Sequence, residues 1–347
     1  MIKTINSWRG LMAVTVVLFH AGVDWMWNIA VTGVTFFFIS SAFLLSMRHP
    51  FERLEARSYS RFVMAHALRL YPLHWIALAA LIAITLLFHT STVDWGAATL
   101  SALLVQAWSP VHDVHYGLNP GAWYLSALLF CYAIYPIVAH WIGKWKLWVQ
   151  TALVIVLAMV LGWILVPLDI PGREAVFVNP FSHVLDVVAG VTLFHVYRLL
   201  KARFPDLGRG MATIIEVGAL LLLALVIAVN ILTTWIKPWE DVINWLLPQG
   251  AILVTLALLD GQEGLIGRIL LWRPLQWLGS ISFEVYVLQF VAFLLFNYML
   301  APVMGHFGWQ VSKLLPWFAL VVLLPLSWLV HRYFTVPITA FFKKRIK

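Results

Sequence analysis

Charge is what this sequence has least of. Asp, Glu, Lys and Arg make up 11% of its 347 residues, against about a quarter in soluble domains, which excludes an ordinary water-facing surface. Cysteine is scarcer still. The single Cys131 lies inside an apolar run, so neither an intrachain disulfide nor a cysteine metal cluster is available. Low-complexity tracts, internal repeats and polar linkers are also missing, so residues 1–347 read as one membrane domain without an appended soluble domain. No small-residue cleavage site follows the first apolar stretch, Leu11 to Ala30, as a signal peptide would require.

What is present is hydrocarbon. Apolar residues make up 62%, the mean hydropathy is +0.89, and runs near the ~20 residues needed to cross a bilayer recur throughout. The expected fold is an all-α membrane protein of about ten transmembrane helices, roughly 11–30, 31–47, 70–88, 122–142, 147–167, 181–198, 211–232, 242–259, 276–300 and 314–333. With the N-terminus inside, 20 of the 23 Lys and Arg residues fall on one side, leaving Arg173, Lys237 and Lys313 on the other. The positive-inside rule then predicts cytoplasmic N- and C-termini in an inner membrane. The net charge of +8 reports topology rather than a nucleic-acid partner. Residues 95–109 are too short to span, and a crossing there would put Lys144 and Lys146 outside, so a re-entrant or half-embedded segment is expected. Residues 49–66 read as an amphipathic helix on the cytoplasmic surface, and the tail FFKKRIK suits an anionic leaflet.

Ionisable groups inside spans are costly and mark function by default. In RGLMAVTVVLFH, Arg9 and His20 are eleven residues apart. At 100° per residue they share one helix face, about 16 Å apart along the axis, which resembles the reach of a pantetheine arm. Arg9 at the cytoplasmic boundary would hold a donor's phosphates. His20, deep in the membrane, would meet the thioester as a general base, with Asp24 one turn on to orient its other nitrogen. The same pair also fits a topogenic arginine and a histidine bonding between helices.

Several blocks in order resemble acyltransferase family 3, the membrane O-acyltransferases that modify bacterial surface glycans, antibiotics and signalling oligosaccharides. S-W-R-G supplies the Arg9 of the Arg9 and His20 pair, and FFFISSAFLL (Phe36 to Leu45) is similar to F-F-x-x-S-G-F-L, with Ser40 matching and Ser41 in place of Gly. HALRLYPLHW resembles R-x-x-R-I-Y-P, with His66 at the first Arg and Arg69, Tyr71 and Pro72 matching. WYLSALLFCYAIYP is similar to W-x-L-x-x-E-x-x-F-Y with Leu128 for Glu, and LGSISFEVYVLQ to L-G-x-x-S-Y-x-x-Y-L-x-H with Gln289 for His.

The resemblance implies an O-acyltransferase moving an acyl group from cytoplasmic acyl-CoA, acetyl-CoA above all, to a hydroxyl of an envelope glycan, glycolipid or related saccharide. It implies no permanently bound cofactor. In this standalone form, without a fused extracytoplasmic hydrolase-like domain, any partner for final transfer would be a separate chain. Arg69, His66 and Ser40 are assigned to the donor side. For Arg61 a topogenic role suffices. Trp123 and Tyr124 fit either an acceptor-side surface or an interfacial aromatic belt. Glu284, beside Tyr286, carries a structural or proton-handling role, and Asp186 has a similar but thinner argument. His112 and His115 form an H-x-x-H pair too short of ligands for a metal, and Gly190 and Gly279 suit close helix contacts. The alternative is a carrier or flippase for a lipid-linked saccharide, against which stands the missing inverted repeat.

Overall fold

Hydrocarbon offers the backbone no hydrogen bonds, so a chain this apolar must satisfy its amides within helices. The computed structural model describes residues 2–88, 92–232, 244–307 and 310–346, and every regular element among them is helical. In chain order the helices of six residues or more are α1 (Lys3–His20), α2 (Trp27–Arg48), α3 (Ala56–Leu87), α4 (Trp95–Ala102), α5 (Ala122–Trp141), α6 (Leu147–Leu165), α7 (Ile170–Val178), α8 (Val184–Arg203), α9 (Arg209–Leu232), α10 (Leu246–Leu258), α11 (Leu265–Leu270) and α12 (Arg273–Ser280). Two long helices complete the chain: α13 (Ser282–His306) and α14 (Lys313–Phe342), each passing through short π-helical turns.

Among the described residues, eight helices are long and apolar enough to cross a membrane: α2, α3, α5, α6, α8, α9, α13 and α14. Two expected spans fall short of that description. α10 has 13 residues, about 20 Å at the helical rise, and the start of its expected span, with Lys237, lies outside the described residues. α1 has 18 residues but carries Lys3, Asn6, Ser7 and Arg9 in its first half.

Burial separates inner from outer helices. In α2, 78% of the apolar stretch is buried inside the protein, against 17% in α6, α9 and α14, whose side chains are left to face lipid. α1 packs against α2, α10, α12 and α13. Two glycines allow this. A Cβ on Gly10 would lie 2.6 Å from the Gly279 nitrogen, and one on Gly279 would lie 2.3 Å from the Asn6 carbonyl oxygen. Gly190 meets α2 in the same way, 2.6 Å from Ala42. Gln249, fully buried on α10, accepts from Trp8 Nε1 at 3.2 Å and donates to Thr32 Oγ1. One amide thus ties α1, α2 and α10.

The short segments are held by side chains that finish their backbones. α4 is capped by Asp94, which accepts from the Ala97 amide at 3.0 Å. Its terminal carbonyls receive three donors from α3: His74 to Ser101, Trp75 to Ala102 and Tyr71 to Leu103. Eight residues give only about 12 Å, so α4 does not span. Similarly, the Glu216 carboxylate on α9 accepts the amides of Gly264, Ile266 and Gly267, satisfying the otherwise orphaned start of α11.

Three sequence expectations need correction. The first two spans are not 11–30 and 31–47: α1 ends at His20 and α2 starts at Trp27, with a turn at Ala21 and Gly22 (φ 90°) between them. His20 therefore closes its helix instead of lying mid-span. Residues 49–66 are not a separate surface helix. They form an irregular link, with Phe51 at φ 48° and bends at Glu52 and Arg53, and then the opening turns of α3, which continues unbroken for 32 residues through Pro72. The ninth span begins at Ser282, because Ile281 separates it from α12.

Candidate active site

Three adjoining cavities lie among the helices. A vestibule of about 1110 Å³ lies where the end of α2, the start of α3 and the end of α14 meet. Arg48, Arg53, Arg61 and Arg69 line it, with Glu284 as its only carboxylate among the described residues. His49 also lines it. Burial pushes the His49 imidazole below its ordinary value and Arg48 alongside acts the same way.

From the vestibule a throat of about 140 Å³ leads inward, sharing Arg48, His49, His66 and Arg69 with it. The throat is built from helix stripes. α2 contributes Phe37, Ser41, Leu44, Leu45 and Arg48; α5 contributes Tyr124, Leu128 and Tyr132; α1 contributes Arg9. Spacings of three and four place such residues on one face. The Arg9 guanidinium stands 5.8 Å from the Phe37 ring centroid, and its buried Nε has no hydrogen-bond partner among the described residues. Arg69, Tyr124 and Tyr132 lie close enough to act on its charge.

On the far side is a chamber of about 550 Å³, lined chiefly by aromatic and aliphatic groups including Phe19, Trp27, Trp123, Phe177 and Phe290. Its polar groups are His20, His112, Tyr116, Arg173, Glu174 and Tyr286. Tyr286 lines both throat and chamber. Its ring packs 5.1 Å from Tyr124 and 6.4 Å from Phe37, and Phe37 packs 6.0 Å from Tyr124. These three rings form a septum between the two spaces.

His20 sits on the chamber side of the septum. Its Nδ1 is 3.0 Å from Gln289 Oε1, and its ring lies 5.0 Å from Phe290. Asp24 is exposed in the turn after α1 and has no bond to His20; the expected orienting role does not fall to it. Ser40 also departs from expectation. It is fully buried, its hydroxyl bonded to the Phe37 carbonyl, and Ser41 faces the throat in its place. Trp123 and Tyr124 separate across the septum, Trp123 to the chamber and Tyr124 to the throat. His66 reaches the throat with Nδ1 on the Phe62 carbonyl at 2.8 Å.

The profile of the acyltransferase domain of family 3 matches residues 2–332. The chain belongs to this family. It is a multi-pass membrane acyltransferase. No curated protein and no solved structure gives a significant match.

In this acyltransferase, Glu284 is almost completely buried and pairs with His331 of α14 at 2.9 Å, a partner 47 residues away that no spacing rule reveals. A second buried pair is local, three residues apart, and its spacing could have revealed it: His183 Nδ1 lies 2.8 Å from Asp186 Oδ2 and its Nε2 lies 3.0 Å from the Phe177 carbonyl. The His183 ring stacks on Phe38 at 3.9 Å and lies 5.9 Å from Trp123, so this pair supports the wall behind the chamber. His112 is exposed and lies 3.9 Å from Glu174, whereas His115 is buried with Nδ1 on the Ser109 carbonyl. Their rings meet edge to face at 5.7 Å, but each nitrogen bond goes to a different partner. Among the described residues no group of three or more His, Cys, Asp or Glu is placed to hold a metal ion. Arg61, for which a topogenic role sufficed, lines the vestibule; the throat stripes on α2 and α5 are the signal that could have revealed its walls.

Proposed function

We propose that this acyltransferase takes the acyl group of cytoplasmic acyl-CoA, acetyl-CoA above all, and transfers it to a hydroxyl of an envelope saccharide or glycolipid. The observation that carries the reading is a basic vestibule continued by a throat that meets an aromatic chamber at one septum, with Arg9 on the throat side and His20 on the chamber side. Four arginines suit a multiply charged nucleotide thioester. The aromatic chamber suits a sugar face or an amphipathic acceptor, with Trp123 as a stacking surface. The charge partition of the loops supports a cytoplasmic vestibule and cytoplasmic termini. A charged donor then never crosses hydrocarbon, and only the acyl group passes.

In this scheme Arg69, Arg48 and His66 receive the donor, and Arg9 holds it so that the thioester lies at the septum. His20 Nε2 removes the acceptor hydroxyl proton as the oxygen attacks the thioester carbonyl carbon. The C–O bond forms and the C–S bond breaks. The departing thiolate takes the proton back from the imidazolium, leaving an ester and free thiol with His20 restored. Holding the two substrates in register through one septum replaces an encounter of three bodies by a positioned reaction.

The test is purified protein with radiolabelled acetyl-CoA and an extract of envelope saccharides and glycolipids. Label retained in an acceptor and lost on mild base treatment, as an ester requires, supports the reading. Label that never leaves acetyl-CoA, with the protein folded, sinks it.

A further inference from the structure

The His20 imidazole has one fixed hydrogen bond among the described residues, and the group that makes it is itself fixed. Gln289 is fully buried. Its Nε2 donates to the Tyr286 carbonyl at 2.9 Å, one turn back on α13. A carbonyl only accepts, so the amide cannot turn over without setting two oxygens against each other. Its Oε1 therefore faces His20 Nδ1 at 3.0 Å and can only accept. The nitrogen opposite an acceptor must carry the hydrogen. We propose that Gln289 is a positioning residue that holds His20 as the Nδ1–H tautomer, leaving the Nε2 lone pair free toward the chamber.

The consequence is specific. A neutral imidazole has one basic nitrogen, and only one tautomer offers Nε2 to an acceptor hydroxyl. Fixing the wrong tautomer disables a histidine base even with its geometry intact, as the serine-protease triad demonstrates. Gln289 differs from a triad carboxylate in one respect. It orients the ring without adding a negative charge beside the imidazolium. The other titratable or charged groups of the chamber are His112, Tyr116, Arg173, Glu174 and Tyr286. Gln289 also joins the base to the septum, since the carbonyl that locks it belongs to Tyr286.

This inference deepens the proposed function and rests on His20 as its base, but its structural half can be tested separately. The full-length protein carrying ¹⁵N-histidine, with His20→Gln used to assign the His20 signals by difference, is expected to show a protonated Nδ1 and an unprotonated Nε2 at neutral pH. A protonated Nε2 overturns the proposal whatever the enzyme does. For turnover of acetyl-CoA with envelope extract, Gln289→Leu should lower kcat at least about tenfold, part of the 10²–10⁴ that a general base contributes, with KM for acetyl-CoA unchanged. Gln289→Glu, as a protonated carboxyl, can still donate to the Tyr286 carbonyl while its other oxygen accepts from Nδ1, so it should restore most of kcat at pH values below the ionisation of that carboxyl. If the leucine variant folds and keeps its kcat, or the glutamate variant is no better than leucine, the positioning role is wrong. Normal turnover in His20→Gln together with the expected tautomer would instead remove the base assignment.

Discussion

Arg9 and His20 share a helix and a face but not a cavity: Arg9 lines the throat, His20 lines the chamber, and Tyr286 stands between, lining both. Eleven residues of α1 therefore carry the site across the septum. A donor bound at one end and a base at the other can cooperate only through a thioester that reaches Tyr286.

His20→Gln keeps a hydrogen-bonding group but no basic nitrogen. Turnover should fall by about 10²–10⁴, with protein yield and KM for acetyl-CoA unchanged. Steady-state kinetics on purified protein decide this, and near-normal turnover would leave His20 as a packing residue.

Arg69 lines both vestibule and throat, so Arg69→Ala should raise KM for acyl-CoA at least about tenfold, the worth of one charge-assisted hydrogen bond. KM for the acceptor should stay put. A purely topogenic arginine would leave donor KM unmoved.

The throat is comparable in size to a cavity of about 150 Å³ that holds benzene. It thus fits a thioester head with a short acyl chain. Tyr286→Ala should open the septum and raise activity with longer acyl-CoAs relative to acetyl-CoA, whereas Tyr286→Phe should leave the preference as it is. A panel of acyl-CoAs from two to eight carbons, giving the same ranking for both variants, would count against a septum that sets chain length.

Glu284 pairs with His331 across α13 and α14 while its Oε2 has no partner among the described residues. Glu284→Gln preserves shape but weakens a charge-assisted bond, at a cost of about 1–3 kcal/mol. Thermal unfolding in detergent should show a lower midpoint. An unchanged midpoint would mean that the charge is dispensable and packing holds these helices together.

Single cysteines at Lys144 and Arg173, in the Cys131→Ser background, test the proposed orientation. An impermeant thiol reagent should label position 173 from outside intact cells and position 144 only after permeabilisation. Outside labelling at 144 would invert the assignment of the vestibule to the cytoplasm.

Much of the fold was legible because its signals are local. The apolar runs mark the long helices, and residues 95–109 are correctly too short to cross. The junction between α1 and α2 was misplaced because counting about 20 residues from Leu11 carried the first span past its own polar break. His20, Asp24 and Asn28 fall in residues 20–28, and Gly22, in a left-handed conformation, turns the chain there. The 49–66 reading failed for a related reason. Arg57 and Arg61 belong to a helix longer than the bilayer is thick, about 48 Å against 30 Å, so charge marks the part of α3 outside hydrocarbon and not a break in it.

By itself the sequence determined the solvent, the helical secondary structure and the shared face of Arg9 and His20, because composition and a 3.6-residue period act over one helix at a time. Only the tertiary structure decided that these two residues enter different cavities, that Gln289 rather than Asp24 meets His20, and that Glu284 finds His331. His20 and Gln289 are 269 positions apart, and nothing in either helix alone specifies which faces will meet. That follows from how closely the helices approach, set here by Gly10 against Gly279 and Gly190 against α2, and a cavity exists only where the side chains of several such helices together leave space unfilled.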